Sequence, residues 1–531
     1  MFDVNDLALG DRSGTLVPTQ FEPITYWDDG SVKWVLTNFK DDVSPNTKNP
    51  FTLVFSGEEN PPPSESIKIT ENANNILIDT GAALFDLNLN PGAIFSSVKT
   101  DLNNNGVYES SEEMLDTTQF QGAMIEDRFG VLYDSSQDAK YHYNIVRRGP
   151  LSAIIELYGT HEPTAQQGFI TDAKGGLGRT TYYTWKLTLW WDAGAPIVRA
   201  DWSIRNAMIN DATGALIFNK YNFELPLNLQ GNEELGFLRE DGNIQKYSIA
   251  GSDFARVRMD LDAFDNSVFV EESTQGGVQR SKNGFLKSFS TTYDPAVILS
   301  DSSKEITIVM KDMLGMYPQA FTADASGVSI ELFPSDGLSW KPYTIEDMVQ
   351  HTHQMMWVFA APGEYDVKDL ALAFQHPLRV FADPSYVEDI RVYGNEGTLN
   401  IPSGFSEAQV DGFARAELAD VHNDCGDTNV DPGDVCGQYD DCGLAVDAGL
   451  YNRCGKFAGE SYGSADTGSK RVTFDACYRA IAGANADFLE INERRHWVGE
   501  KRRGAAGDVY YDAASSTYNY EPFKYFGYGG K

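Results

Sequence analysis

The chain has 531 residues, 42% of them hydrophobic, which is enough for more than one domain with a sizeable core. Its 42 basic and 77 acidic residues leave a net charge of -35, a field that opposes nucleic acid and anionic membranes as partners. No run of 18 or more apolar residues predicts a membrane span, and the acidic opening Met1-Phe2-Asp3-Val4-Asn5-Asp6 is unlike a secretory signal.

Residues 1–62 read as strands. In Tyr26-Trp27-Asp28-Asp29-Gly30-Ser31-Val32-Lys33-Trp34-Val35-Leu36, apolar and polar residues alternate around an Asp-Gly pair, which predicts a hairpin with a tight primed turn. Period-two stretches follow at Lys33 to Phe39 and Pro50 to Phe55, and the acidic, proline-rich stretch from Gly57 to Pro63 closes the unit. Residues 63–380 carry strand signals at Ser152 to Tyr158, Thr181 to Trp191, Ile197 to Ile204, Ile306 to Met310, Val328 to Phe333 and Met355 to Ala360. Turn residues punctuate them and helical periodicity is scarce, a pattern that predicts a large antiparallel β-sandwich. The aromatic strand Tyr182 to Trp191 alternates for most of its length, which suits core and cross-strand packing better than a sugar-stacking platform.

Within this second unit, Asp101, Asn103, Asn105, Glu109 and Glu112 occupy positions 1, 3, 5, 9 and 12 of a loop with Gly106 at position 6. That is the spacing of an EF-hand-type calcium loop, in which position 7, here Val107, gives its carbonyl and the last Glu binds through both oxygens. The expectation is a structural Ca2+ in a loop between strands. Further on, His351 and His353 stand two apart, so on a strand they share a face. They are candidates for a metal pair or a catalytic base, weighed against a hydrogen-bonded core histidine.

Residues 381–531 change in texture. Gln409 to Leu418, Ala476 to Ala486 and Ala486 to Arg495 have helical character. All five cysteines, Cys425, Cys436, Cys442, Cys454 and Cys477, fall here, at spacings that fit no common zinc pattern. Among Gly, Asp and Asn they read as disulfides of an oxidising compartment, which predicts an extracellular or periplasmic, secreted protein. The one basic cluster of the acidic chain, Glu493-Arg494-Arg495-His496-Trp497 with Lys501-Arg502-Arg503, precedes a tyrosine-rich stretch that includes Tyr510 and Tyr520.

Several motifs together resemble one family. The Trp27-to-Trp34 hairpin, Arg147-Arg148-Gly149-Pro150-Leu151-Ser152 with Gly159-Thr160-His161, and the run from Trp185 to Asn206 are similar to rhamnogalacturonan exolyase-like proteins. So are Val309 to Gln319 with its Tyr317-Pro318 step, where Met313-Leu314 replaces the family's usual Phe-Trp, the strand closing at Glu331-Leu332-Phe333-Pro334, and the Thr352-His353 strand start. His376-Pro377-Leu378 and Ala382-Asp383-Pro384 match the family's passage into its third domain, and the resemblance covers about residues 7 to 395.

It implies a RIFT-type β-barrel, a central β-sandwich and an α/α toroid, in an enzyme that cleaves acidic polysaccharide by β-elimination. The family's first barrel strand has no counterpart before Asp6, and its toroid exceeds the residues that remain. The expected fold class is therefore mainly β, barrel plus sandwich, followed by a short helical, cysteine-containing region that is only a partial toroid.

β-Elimination needs the uronate neutralised, a base for the C5 proton and an acid for the leaving oxygen. Arg494, Arg495 or Arg502 would neutralise, His496 would be the base, and Tyr510 or Tyr520 the acid, on what the resemblance takes as a tyrosine-rich helix. It also marks His353 as a fixed position. The alternatives are a non-catalytic surface, glycan-binding or self-associating assembly protein on the same β domains, and a hydrolase using a carboxylate pair.

Overall fold

The computed structural model describes most of residues 4–377, leaving out internal stretches such as 42–48, 207–215, 262–267 and 283–294, and beyond 377 it describes only Tyr510–Asp512 and Thr517–Asn519. The molecule is mainly β. Two large antiparallel sheets face each other.

The nine-stranded sheet runs His142–Arg148, Ser152–Thr160, Tyr183–Asp192, Ile197–Asn206, Gln350–Ala360, Glu305–Met310, Ala296–Ser300, Glu233–Leu238, Ile244–Ile249. The ten-stranded sheet is centred on Gly122–Asp127, Leu216–Pro226, Gly327–Phe333, Gln319–Asp324 and Phe254–Leu261, in that order. Alternation in the strands decides which side chains enter the core. In Tyr183–Asp192 the residues Trp185, Leu187, Leu189 and Trp191 are buried, as the period of two requires. Trp185 stacks on Trp202 of the next strand with ring centres 5.1 Å apart. Gly159 makes room for this stack, since a Cβ there would collide with the Trp185 ring.

A four-stranded sheet, Lys68–Glu71 to Phe95–Thr100, closes one end of the sandwich. Phe85 meets Trp191 and Phe359 at 5.8 and 6.0 Å. The helix Val367–Gln375 covers the outer side of the nine-stranded sheet, where Val367 and Ala371 pack with Val309, Met356 and Val358. Asp366 caps it, accepting the Lys368 N–H at 2.8 Å.

The N-terminal hairpin is present as Thr19–Tyr26 paired with Val32–Phe39. Its turn differs from the expected two-residue form: Trp27 N–H bonds the Ser31 carbonyl at 2.8 Å, and Gly30 N–H bonds the Trp27 carbonyl at 2.9 Å. Three residues thus separate the last paired positions, and Gly30, at φ +81°, takes the left-handed place such a loop needs.

The expected barrel is not closed. Leu16–Val17, Leu7–Gly10 and Thr52–Phe55 form an open three-stranded sheet, and the hairpin is a separate two-stranded one. Closure requires a hydrogen-bonded neighbour on both edges of every strand with a regular stagger. A two-residue strand cannot supply that stagger, and the outer edges find no strand among the described residues. The hairpin docks on the sandwich instead. Gln20 Oε1 accepts the backbone N–H groups of Leu151 and Ser152 at 2.9 and 3.1 Å, and Arg147 pairs with Glu22 at 2.9 Å.

At the other end of the chain, Tyr510–Asp512 and Thr517–Asn519 form an antiparallel pair where a tyrosine-rich helix was expected. Tyr and Thr favour the pleated conformation. The cysteines and the segments after 381 with helical character lie outside the described residues, as do most of residues 311–317.

Candidate functional site

The densest polar chemistry lies on the outer face of the ten-stranded sheet. Three of its strands alternate apolar core residues with polar ones, Asn222-Phe223-Glu224, Ser329-Ile330-Glu331 and Arg256-Val257-Arg258, the last separated from the second by Gln319–Asp324. Residues opposite one another across a ladder share a face. Asn222 stands opposite Glu331 and Glu224 opposite Ser329. Ser329 is in turn opposite Thr322, which is opposite Arg256, and Arg258 faces Glu271 by the same route. A shift of register at Tyr221/Asn222 leaves Leu332 as the extra residue of the partner strand, so Phe333 stands opposite the core residue Tyr221 while Asn222 bonds to the outer row.

Glu331 is buried and held by two partners. Arg256 Nε and Nη2 reach its two oxygens at 2.8 and 2.9 Å, and the Thr322 hydroxyl donates at 2.6 Å. A two-point guanidinium clamp with an added hydroxyl donor is the geometry of a carboxylate. Arg256 is shared, since Nη1 and Nη2 also reach both oxygens of Asp336 at 2.7 Å. Burial opposes charge on Arg256, but Asp336 and Glu331 hold it above the ordinary arginine range. Arg258, also buried, donates to the Asp336 carbonyl at 2.8 Å and to Glu271 at 3.1 Å. Tyr343 is fixed beside this network by a 2.7 Å bond to the Pro334 carbonyl, and burial, then the charge of Asp260, pushes its phenol up.

Glu224 sits in the opposite setting. Burial raises its carboxyl above the usual range, the Glu331 charge adds to the rise, and bonds from Asn222 and Ser329 offset it only in part. Both of those bonds, 3.2 Å from Asn222 Nδ2 and 2.9 Å from Ser329 Oγ, fall on Oε1. The side chain is half-buried. The face thus pairs a carboxyl biased toward its protonated form with a carboxylate clamped by arginine. That pair can give and take a proton.

The expected residues fall elsewhere. His351 and His353 do share a face, with rings 4.8 Å apart, and it is the inner one: both rings pack on Phe333, at 5.1 and 5.5 Å. His353 is 1% exposed, with Nδ1 2.7 Å from Gln319 Nε2. Among the described residues no three His, Cys, Asp or Glu side chains converge to hold a metal.

The loop from Asp101 leaves the strand Phe95–Thr100 and ends in the short helical turn Ser110–Glu112. Asp101 accepts the N–H groups of Asn105 and Gly106 at 2.9 and 2.7 Å, and Asn105 accepts that of Val107 at 2.8 Å. Glu112, buried, accepts those of Leu102 and Glu109 at 3.0 and 2.9 Å. Each of these oxygens keeps a second lone pair, and Asp101, Asn103, Asn105, Val107, Glu109 and Glu112 are the residues that would hold a calcium ion, but as described the three carboxylates of the loop do not converge on one point. Tyr510 lies in the C-terminal strand pair; Arg494, Arg495, His496, Arg502 and Tyr520 lie outside the described residues. Sequence reasoning missed Glu224, Glu331, Arg256 and Arg258, although charged residues at every second place of otherwise apolar strands were a readable signal.

Comparison with known proteins adds the following. No family model matches the chain. The uncharacterized protein YetA of Bacillus subtilis (strain 168) is 26% identical over 165 residues, which is 29% of this chain and 17% of that protein. A glycosyl hydrolase family 38 protein from Enterococcus faecalis is similar over 68% of this chain and 39% of its own, at 10% identity and TM-score 0.37. A galactose mutarotase related enzyme from Lactobacillus acidophilus is similar over 56% of this chain and 98% of its own, at 13% identity and TM-score 0.27. The chain therefore spans under a fifth of the first relative and well under half of the second. Among the described residues no helix is long and apolar enough to cross a membrane.

Proposed function

We propose that the protein acts on glycans, that the polar face of the ten-stranded sheet is its site, and that Glu224 is the residue that moves the proton. One observation carries this: two carboxyls on adjacent strands lie in unlike settings, Glu224 raised by burial and Glu331 clamped by Arg256. A carboxyl raised by burial beside one clamped by arginine is a working arrangement for acid–base chemistry at a sugar's anomeric centre. The resemblance of about residues 7 to 395 to a glycan-degrading family supports the substrate class. The acid excess and the clustered cysteines support a place outside the cytoplasm.

β-Elimination of a uronate is the second reading, favoured by the basic cluster at Arg494, Arg495 and Arg502. The full chain is incubated with pectic and neutral polysaccharides while reducing ends and unsaturated-uronate absorbance are followed. New reducing ends without that absorbance, lowered about 10²–10⁴-fold by Glu224→Gln, support the acid–base reading. A rise in absorbance means elimination. A Glu224→Gln protein as fast as wild type removes the sheet face as the site, and binding without turnover means a non-catalytic glycan protein.

A further inference from the structure

The same face limits which sugar it can take. Its arginines are engaged. Arg256 spends both edges of its guanidinium on Glu331 and Asp336, and Arg258 is bound to Glu271 and to the Asp336 carbonyl. Lys220, whose charge acts on Glu224, stands opposite Glu126 on the adjoining strand. Carboxyls therefore outnumber cations around Glu224, and Glu224 adds one more negative charge whenever it ionises. An anionic ligand would be desolvated here beside like charges, with its natural partners already taken, which costs affinity.

The unspent groups ask for the reverse. Asn222 is 3% exposed, its Nδ2 donates to Glu224 Oε1 and Ser329 Oγ, and its Oδ1 has no hydrogen-bond partner among the described residues. Glu224 receives both of its own bonds on Oε1, so Oε2 is left over. A buried acceptor without a donor is costly to keep. A ligand that brings hydroxyls and no negative charge answers Oε2 of the half-buried Glu224 in either protonation state, while Asn222, whose Oδ1 is sealed, acts through Glu224 and Ser329. Sugar hydroxyls do this; a carboxylate does not.

We propose that the sugar unit seated between Glu224, Asn222 and Ser329 is uncharged, held through its hydroxyls, and that a uronate is rejected at this position. The proposal rests on the reading of this face as the glycan site. Asn222 is its positioning residue: a turn of its amide exchanges donor for acceptor, so it supports Glu224 in either protonation state.

Binding to the full chain is measured calorimetrically at pH 5 and pH 7, with cellotetraose, mannotetraose and galactotetraose as neutral probes. Tetragalacturonate is the anionic probe and a chitosan tetramer the cationic one. At least one neutral probe is expected to bind at least tenfold more tightly than tetragalacturonate. Asn222→Leu is expected to weaken that probe about tenfold or more and to flatten the pH dependence of its binding. Ser329→Ala, at a half-buried position that should fold without difficulty, is expected to weaken it several-fold.

Tighter binding of tetragalacturonate or of the chitosan tetramer, lost in either variant, overturns the uncharged class but leaves the acid–base reading of Glu224 standing. Neutral probes that bind equally to wild type and both variants also overturn it. Full activity in Glu224→Gln, by contrast, removes the underlying site.

Discussion

Burial works on single residues of this face with opposite results, and the signs can be followed into stability. For Glu224, burial raises the carboxyl from its ordinary 4.5, so the folded state binds the proton more tightly than the unfolded chain. Its contribution to stability is whole below pH 4.5 and is lost as pH rises through the folded value. Asp336 runs the other way. Burial pushes it up, but the hydrogen bonds and charge of Arg256 outweigh that and lower it from 3.8. Its contribution is present above 3.8 and is lost as pH falls. Glutamine imitates the protonated carboxyl, so Glu224→Gln should melt with wild type at pH 4 and progressively above it toward pH 8. Thermal melts across that range check this, and a variant less stable than wild type at pH 8 contradicts the burial argument. His353 shows how residue type alone misleads: its spacing from His351 put both on one face, but only the packing on Phe333 shows that the face is internal.

At the scale of elements, the sequence was most legible where the signal is local. The strands around Ser152, Ile197, Val328 and Met355 were readable from alternation, and the hairpin from its Asp-Gly pair. The loop from Asp101 to Glu112 stood out in the sequence because its oxygens all lie within twelve residues, and its backbone turns around Asp101 and Glu112.

The helix Val367–Gln375 went unread despite a cap at Asp366 and apolar residues at 367, 370, 371 and 374, because it is short and strands dominate its surroundings. The polar alternation could be read in each strand, but which polar residues share one face could not. Asn222, Arg256 and Ser329 meet only through register across strands far apart in sequence.

For the loop, calcium should raise the melting temperature by mass action, equivalent to about 2.7 kcal/mol at a hundredfold excess over Kd. Glu112→Gln should melt below wild type in EDTA, because its amide cannot accept both the Leu102 and Glu109 N–H groups, and should in addition lose most of the calcium-induced rise. An equal calcium response in both proteins removes Glu112 as a ligand.

Over the whole molecule, the question is whether the sheets stand or fall together. The polar face owes its geometry to strands whose other side is the core, so the site is only as rigid as the packing beneath it. Trp357 joins the layers: it is fully buried on the nine-stranded sheet, 5.3 Å from Phe223 of the ten-stranded sheet and 6.4 Å from Phe95 of the four-stranded one. Phe223 lies between Asn222 and Glu224, so a loss at Trp357 reaches the site through one side chain. Truncation to alanine removes a large ring that three sheets share and should cost about 3–5 kcal/mol. Trp357→Phe should cost far less, because the indole N–H has no hydrogen-bond partner to lose among the described residues and a ring still fills most of the space. If the layers form one cooperative unit, denaturant unfolding of Trp357→Ala shows a single transition at lower midpoint, with ligand binding at Glu224 weakened in step. Two separated transitions, only one of them moved by the substitution, would mean that the site-bearing sheet is stabilised independently of the core behind it.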